Sequence, residues 1–381
     1  MSHIFLVAAE DSGDALGADV IDALRVADPS VRISGIGGAK MRERGAYSDV
    51  DMSGLAVLGF IDGLKAFGRV KRAVAAAGEA IIKADPDAVV LVDSWGFMWR
   101  LARFLKEQGH RAKRVKLVGP QVWATRPGRA RVLAQWCDHL LCIHAFEQPF
   151  YERWGLPTTV VGNPALQRLP KGDGAAFRSR HGIDADTRVV GLLPGSRKSE
   201  IRRVAPALFG AARKLRTRGA GRQVVCMVAP SVAAEVEALA AAQDHAPMLI
   251  HDETEKADAF SAMDVALACS GTVTTELAAQ GAAVVVGYKL GWVTWAIART
   301  ALMRSRFITL LNVAAGKEIA PEFVQTRLTE ANVARAAERL LSDPAALAAQ
   351  QRSQADALEL MAGPGRPAAE IAAETVLKLS R

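Results

Sequence analysis

A short stretch in the middle of the chain combines residue types that bind phosphate groups. The sequence Arg188–Ile201 reads as an apolar strand, a tight turn and the start of a helix, and the turn is made by Pro194, Gly195, Ser196 and Arg197. Such a turn exposes unpaired backbone N–H groups and the positive end of the helix dipole, and a guanidinium group adds a fork of donors. The Gly-Lys-Ser/Thr ending of a Walker loop is missing. An ordinary strand–helix turn is the alternative interpretation.

A second polar turn follows the apolar run 265–268. Ser270, Gly271 and Thr272 offer hydroxyl and backbone N–H groups, and Glu276 lies one helical turn further along. A carboxylate beside a phosphate-binding turn is suited to the hydroxyl groups of a ribose. The alternative is a helix with a Ser or Thr N-cap and a first-turn Glu that complements the dipole. Taken together, the two turns predict a site for a nucleotide diphosphate.

One carboxylate in the N-terminal half stands where a general base is often placed. The apolar run Ala88–Asp93 ends on Asp93, and open α/β sheets bind their ligands at the carboxyl ends of their strands. Asp93 is therefore either a general base or an ordinary turn residue. Earlier in the chain, the strand His3–Ala8 precedes a helix for which Ser12 or Asp14 is a natural N-cap.

Four potential metal ligands lie in and beside the apolar run His139–Ile143. They are Cys137, His139, Cys142 and His144. Because side chains alternate between the two faces of a strand, the first two point one way and the last two the other. Zinc requires its ligands to converge on one point. The sequence therefore predicts no metal site here.

Apolar runs alternate with helical patterns along the whole chain, which predicts two parallel, doubly wound sheets. The stretch Pro170–Gly174 has the composition of a linker. We expect an N-terminal domain of residues 1–165 plus 367–381 and a C-terminal domain of residues 175–360, with the chain crossing back at Met361–Arg366. Two such domains are expected to leave a deep cleft between facing strand ends.

The formal charge of the 381-residue chain is +8, and the basic residues are unevenly distributed. Between residues 100 and 131 there are ten Lys and Arg residues and a single acid, Glu107. A second basic cluster contains Lys65, Arg69, Lys71 and Arg72. Besides a solvated surface, such a face fits an anionic membrane, an acidic substrate or nucleic acid. Since no nucleic-acid-binding motif is present, nucleic acid is the least favoured partner.

Several features bear on the compartment. Four Cys residues in a chain of this length favour a reducing cytoplasm over a disulfide framework. The N-terminal residues Met1–Phe5 lead directly into a strand and do not resemble a signal peptide. The apolar stretch Trp292–Met303 is interrupted by Arg299, so we expect no transmembrane helix. The segment Gly54–Val74, apolar and then basic, is either core or a helix on a membrane surface.

Short motifs along nearly the whole chain resemble, in order, those of the bacterial lipid-A-disaccharide synthases. They are Ala8–Asp14, Gly54–Gly59, Pro120–Ala124, Val161–Pro164, Leu192–Arg197, Ser270–Thr272 with Glu276, Val286–Tyr288, and Leu311–Asn312 through Gly316 to Pro321–Glu322. This resemblance implies a GT-B glycosyltransferase, an α/β protein with two doubly wound Rossmann-like domains facing a central cleft. It also implies an enzyme that needs neither a metal nor another cofactor.

The resemblance implies a specific reaction and specific partners. The enzyme would move 2,3-diacylglucosamine from UDP to a lipid monosaccharide 1-phosphate with inversion, giving a β-1,6-linked lipid A disaccharide and UDP. Its partners would be a UDP-sugar donor, an anionic lipid acceptor and the inner-membrane surface. It would be a cytoplasmic, peripheral membrane protein that binds no nucleic acid, and a homodimer is compatible with the family.

The resemblance also assigns residues to the site. Asp93 would be the general base, Glu276 would hold the ribose, and Asn312 would lie near the nucleotide. The other substrate-binding residues that it implies are Glu10, Ser12, Gly13, Asp14, Pro194, Gly195, Ser196, Arg197, Ser270, Gly271 and Thr272.

Three motifs depart from the family pattern, and all three lie in the predicted N-terminal domain. The family usually has Gly-Glu-Ala-Ser-Gly-Asp at Ala9–Asp14, a Pro and then Asp-Phe-Asn at Ser94–Met98, and Gly-His-Pro at Gly162–Pro164. A diverged enzyme with another lipid or sugar acceptor is therefore one alternative. A UDP-sugar epimerase or hydrolase of the same fold is a second. A basic binding protein without catalysis is a third.

Overall fold

The computed structural model of the chain describes residues 1–47, 63–218, 221–292, 295 and 305–381. Residues 54–62 of the segment Gly54–Val74, which include the motif Gly54–Gly59, and most of the stretch Trp292–Met303 lie outside these ranges. The described chain forms two compact units. The first unit contains Met1–Gln167 and Met361–Arg381, and the second contains Arg168–Leu360. No helix within the described ranges combines the length and the apolar character needed to cross a membrane.

The first unit is built on a six-stranded, fully parallel sheet with the strand order β2-β1-β3-β4-β5-β6. The strands are β1 (His3–Ala8), β2 (Arg32–Ile36), β3 (Ala88–Val92), β4 (Lys113–Leu117), β5 (His139–Cys142) and β6 (Thr158–Val160). The central strands β1 and β3 are buried along their whole length. Continuous apolar strands of this kind are typical of parallel sheets that helices cover on both faces.

Eight helices belong to the first unit as described. They are α1 (Asp11–Ala27), α2 (Ala39–Glu43), α3 (Gly63–Ala84), α4 (Trp95–Glu107), α5 (Gly128–Trp136), α6 (Gln148–Glu152), α7 (Pro164–Gln167) and, from the end of the chain, α17 (Ala368–Leu379). Helix α17 packs on α1 and buries Ala372, Ala373 and Val376 in the same core as Ile4 and Leu6 of β1.

The second unit contains another six-stranded parallel sheet, with the order β12-β11-β10-β7-β8-β9. The strands are β7 (Arg188–Leu193), β8 (Arg222–Met227), β9 (Met248–Ile250), β10 (Val265–Cys269), β11 (Ala283–Tyr288) and β12 (Glu322–Val324). The edge strand β12 was not predicted from the sequence. It has only three residues, so no alternating pattern marks it.

Nine helices flank this sheet in the part of the second unit that the structure describes. They are α8 (Gly174–Arg180), α9 (Lys198–Arg203), α10 (Ala205–Arg218), α11 (Ala233–Ala241), α12 (Lys256–Ala262), α13 (Val273–Ala279), α14 (Leu310–Ala315), α15 (Glu330–Ser342) and α16 (Pro344–Ala362), whose last residues belong to the first unit. Helix α15 places Val333, Ala337, Leu340 and Leu341 in the core at the three- and four-residue spacing of an amphipathic helix.

The strand order of each sheet fixes where a ligand site is expected. In the first sheet the order reverses between β1 and β3, and in the second between β7 and β10. The loops that leave such a pair of strands run to opposite faces of the sheet, so a crevice opens at their carboxyl ends. The residues that follow β1, β3, β7 and β10 are therefore the candidates for function.

Candidate active site

The turn after β7 depends on a glycine at Gly195. Its φ is +118°, a conformation that side-chain-bearing residues rarely adopt. A Cβ atom at this position would also lie 2.7 Å from side-chain atoms of Glu200. Gly195 therefore lets the chain turn sharply between β7 and α9 while Glu200 folds back against the turn.

Glu200 occupies the backbone donors that the sequence assigned to a phosphate. Its Oε2 accepts hydrogen bonds from the N–H of Ser196 at 3.0 Å and of Arg197 at 3.3 Å, and its Oε1 accepts one from Arg197 Nη1 at 3.0 Å. The Arg197 side chain is nevertheless 77% exposed. The sequence analysis missed this carboxylate, although a Glu three residues after an N-cap is a known capping signal.

The turn after β10 leads to an ion pair. Oε2 of Glu276, in the first turn of α13, lies 2.5 Å from Nζ of Lys256 at the start of α12. The ammonium group of Lys256 also lies 5.6 Å from the centre of the Phe260 ring. The sequence analysis missed Lys256 because nothing in its local sequence indicates that α12 and α13 bring it to Glu276.

These two turns line one cavity of about 470 Å³. Of the predicted residues, it contains Pro194, Gly195, Ser196, Arg197, Ser270, Gly271, Thr272 and Glu276. Glu200, Glu253 and Lys256 complete the charged part of the lining. A concave site of this size, with two cations, three carboxylates and several hydroxyl groups, is suited to a polar molecule that carries both phosphate and hydroxyl groups.

Asn312 does not belong to that lining. It is fully buried, and its amide group donates to the carbonyl of Ala320 and to Oε1 of Glu322, both at 2.8 Å. Its carbonyl oxygen accepts from the N–H groups of Ile319 and Ala320 at 2.8 and 2.9 Å. All of its hydrogen-bonding groups are thus used to fix the loop before β12, and the expectation that Asn312 lies near the nucleotide stays a prediction.

Asp93 leaves β3 in an unusual backbone conformation. Both Asp93 (φ 49°) and Ser94 (φ 36°) adopt the left-handed region, which costs free energy for residues with a side chain. The only hydrogen bond recorded for the Asp93 carboxylate in the described structure comes from Ser12 Oγ, which lies 3.5 Å from Oδ2. Asp93, whose backbone is strained, is half-buried at the point where the strand order of the first sheet reverses.

A buried lysine, Lys116, contacts the backbone of Asp93. The Lys116 side chain is 1% exposed, and its Nζ donates to the backbone oxygens of Asp93 at 2.6 Å, Leu117 at 2.9 Å and Leu91 at 3.2 Å. Burial lowers the pKa of Lys116 to about 8, while the negative charge of Asp93 acts in the opposite direction. Lys116 therefore anchors the strained end of β3 and contributes a cation beneath the carboxylate.

The segment after β1 is divided between surface and core. Glu10 is exposed and is the N-cap of α1, which corrects the expectation that Ser12 or Asp14 caps this helix. Asp14 is buried and accepts hydrogen bonds from the N–H groups of Gly38 at 2.8 Å, Lys40 at 2.9 Å and Met41 at 3.2 Å. Asp14 therefore holds the loop after β2, and its contact with a substrate stays a prediction. Gly13 is buried in the first turn of α1, beside Ala8 and Val92.

The Cys and His residues around β5 have structural partners. Strand β5 begins at His139, so Cys137 precedes it, and His139 Nε2 lies 2.9 Å from Thr159 Oγ1. Burial raises the pKa of Cys137 and of Cys142 to about 12, which keeps both thiols protonated. Within the described ranges, no three His, Cys, Asp or Glu side chains are grouped as a metal ion would require.

Comparison with known proteins identifies the family. The model of the lipid-A-disaccharide synthetase family matches residues 4–376. The lipid-A-disaccharide synthase of Rhodospirillum centenum is 36% identical over 378 residues, which cover 99% of this chain and 94% of that protein. Among solved structures, Acinetobacter baumannii MurG superposes with a TM-score of 0.60 at 15% identity, covering 99% of this chain and 100% of that chain. The Neisseria meningitidis UDP-GlcNAc 2-epimerase bound to UDP-GlcNAc gives 0.57 at 14% identity, with 99% and 100% covered.

The two structural likenesses show the fold, and the family match shows the class of enzyme. Two parallel doubly wound sheets in one chain are the architecture of the GT-B proteins. The chain is a member of the lipid-A-disaccharide synthase family, and it is a glycosyltransferase with the GT-B fold.

Proposed function

We propose that the protein transfers 2,3-diacylglucosamine from UDP to a lipid monosaccharide 1-phosphate, giving a β-1,6-linked lipid A disaccharide and UDP. The observation that carries this proposal is the cavity of about 470 Å³ that joins the turn after β7 to the ion pair of Glu276 and Lys256. The family match across residues 4–376 supports the same reaction.

The donor site is assigned to the second unit. Arg197 and Lys256 supply two cations for a diphosphate, and Glu276 supplies a carboxylate for the ribose hydroxyl groups. The hydroxyl and N–H groups of Ser270, Gly271 and Thr272 line the same cavity. The UDP-GlcNAc bound by the Neisseria meningitidis epimerase supports a UDP-sugar as the donor.

The chemical step is a single displacement. Asp93 takes the proton of the acceptor hydroxyl as the hydroxyl oxygen forms a bond to the anomeric carbon. The bond from that carbon to the diphosphate oxygen breaks, and its electron pair leaves with UDP, so the anomeric configuration inverts. Arg197 and Lys256 stabilise the negative charge that develops on the leaving group. Lys116 holds the backbone of Asp93 in position through a hydrogen bond from its Nζ to the Asp93 carbonyl oxygen.

The acceptor and the membrane are assigned to the first unit. The basic residues between positions 100 and 131 provide positive charge in the same unit as Asp93. We infer an anionic lipid acceptor and peripheral contact with the cytoplasmic face of the inner membrane. The departures around Asp93 keep a different lipid or sugar acceptor as the alternative within this proposal.

The decisive experiment incubates the protein with UDP-2,3-diacylglucosamine and the matching lipid monosaccharide 1-phosphate, and analyses the products by mass spectrometry. We expect the disaccharide 1-phosphate and an equal amount of UDP. A parallel incubation without acceptor tests the epimerase and hydrolase alternatives. There we expect almost no UDP release and no isomerised donor; acceptor-independent UDP or an epimer would contradict the transferase assignment.

A further inference from the structure

A wide groove lies in the first unit between α4 and α5, and its volume is about 840 Å³. Helix α4 begins at Trp95, so the groove starts two residues after Asp93 in the chain. This volume is in the range of sites that hold small molecules, roughly 300–1,000 Å³. We call it the Trp–Arg groove after the residues that line it, three tryptophans and four arginines.

The tryptophans provide apolar surface. Trp95 and Trp99 are one helical turn apart on α4, and their rings stack with centroids 6.2 Å apart. Trp136 lines the groove from the last position of α5. All three side chains are half-buried, so part of each ring faces the groove. Tryptophan in such a position is suited to the boundary between an apolar chain and a polar head group.

The arginines provide unbalanced positive charge. Arg100, Arg103, Arg126 and Arg129 line the groove, and no lining residue is acidic. Within the described ranges only Arg103 has a carboxylate partner, Glu107 at 2.8 Å. The groove and its rim therefore carry a charge of about +3. A cluster of this kind is stabilised by an anionic ligand.

The arginines are also held in a usable geometry. Three guanidinium groups lie over indole rings, with Arg100 4.5 Å from Trp99 and Arg129 5.3 Å from Trp95, while Arg103 lies 5.5 Å from the ring of Trp136. Stacking uses the face of a guanidinium and leaves its in-plane N–H donors for oxygen atoms. Arg100 donates one N–H to the carbonyl oxygen of Gly96, and the remaining in-plane donors of this residue and of Arg129 suit a tetrahedral phosphate.

We propose that the Trp–Arg groove binds the acceptor lipid, with its phosphate on Arg100 and Arg129 and an acyl chain along the tryptophan rings. A ligand that fits both features is an amphiphile with a phosphate group, and a sugar 1-phosphate with acyl chains has this character. Because Trp95 follows Asp93 by two residues, a lipid bound at the Trp95 end of the groove would have its sugar towards the general base. This inference rests on the proposed function for the identity of the lipid, and on the groove alone for the chemistry of the ligand.

The first test measures binding without catalysis. Dodecyl phosphate below its micellar concentration is titrated into the full-length protein, with dodecyl maltoside and inorganic phosphate as separate probes, and tryptophan fluorescence and heat are recorded. We expect dodecyl phosphate to bind at least tenfold more tightly than either probe, and R100Q/R129Q to weaken it at least tenfold. The control variant R335Q/R339Q removes two exposed charges from α15 and is expected to bind as the wild type does. Equal binding by both variants would overturn the proposal.

The second test separates the acceptor from the membrane. In the transfer assay we expect R100Q/R129Q to raise KM for the acceptor at least tenfold and to leave the Kd for UDP unchanged. If the variant instead loses binding to phosphatidylglycerol vesicles but keeps dodecyl phosphate affinity and acceptor KM, the groove is a membrane contact and the proposal is wrong. If the wild type shows no transfer but binds dodecyl phosphate as expected, the proposed function fails while the assignment of the groove to a lipid phosphate stands.

Discussion

At the scale of single residues, Asp93 carries the proposed proton transfer. A general base contributes on the order of 10²–10⁴ in rate. We therefore expect D93N to lower kcat by about 10³, with the Kd for UDP unchanged. Product formation by mass spectrometry and UDP binding by calorimetry measure the two quantities. The matched variant S12A removes the weak hydrogen bond to Asp93 and should lower kcat less than tenfold. Turnover of D93N at the wild-type rate would remove Asp93 from this role.

Two cations of the donor cavity are expected to contribute to UDP affinity in different ways. The exposed guanidinium of Arg197 is available to a diphosphate, so R197A should weaken UDP binding about tenfold, the effect of one charge-assisted hydrogen bond pair.

Lys256 is paired with Glu276, so K256M should weaken UDP binding and also leave Glu276 without its partner. Titration calorimetry with UDP and with uridine separates the contributions. A loss of uridine affinity equal to that of UDP would contradict a diphosphate contact.

We expect Glu147 to make the stability of the first unit depend on pH. This side chain is 3% exposed, its Oε2 has no hydrogen-bond partner in the described structure, and burial raises its pKa to about 8 from the ordinary 4.5. Below pH 4.5 the folded and unfolded chains both hold the proton. As the pH rises from 4.5 to 8, only the unfolded chain ionises, so stability is lost, by up to roughly 5 kcal/mol.

The variant E147Q tests this dependence. It cannot ionise, so its free energy of unfolding should change less between pH 5 and pH 8 than that of the wild type, and it should be the more stable protein at pH 8. Urea unfolding at several pH values measures the difference. If the two proteins lose stability in parallel over this interval, Glu147 is not a buried acid.

At the scale of elements, Asp14 ties α1 to the loop after β2. Gly38 must be a glycine in this arrangement, because a Cβ there would lie 2.7 Å from Oδ2 of Asp14. Removing the carboxylate in D14A leaves three backbone N–H groups without their acceptor. We expect D14A to lower the free energy of unfolding by about 3 kcal/mol. D22A, which removes an exposed partner of Arg44, should cost less than 1 kcal/mol. If urea unfolding shows that D14A and D22A lose similar amounts of unfolding free energy, the buried role of Asp14 is contradicted.

The elements also show what a sequence can and cannot predict. Strands such as β3 and β10 were predicted because a continuous apolar run ends on polar residues. The turn at Gly195 was predicted because Pro, Gly and Ser separate an apolar run from a helical pattern. The partners of Asp14, Lys256 and Asn312 were not predicted, because each contact joins elements that are distant in the sequence. Strand β12 was missed because its three residues become a strand only beside β11.

At the scale of the whole molecule, the net charge of +8 should govern contact with membranes. We expect the protein to sediment with vesicles that contain phosphatidylglycerol and not with vesicles of phosphatidylcholine alone. Binding should fall steeply between 50 mM and 500 mM salt, because the Debye length shortens from roughly 14 Å to 4 Å. Vesicle binding that is insensitive to salt would indicate that apolar insertion, and not charge, holds the protein on the bilayer.

The Glu200 carboxylate folds back onto the turn after β7, and this should make the turn discriminate between free phosphate and a nucleotide. A lone orthophosphate ion has to compete with an acid that is covalently tethered to the same N–H groups, so it gains little by entering. A nucleotide brings a base and a ribose, whose contacts elsewhere compensate for displacing the acid. We therefore expect added orthophosphate to be a poor competitor of UDP for this turn, which titration of UDP in the presence of phosphate measures.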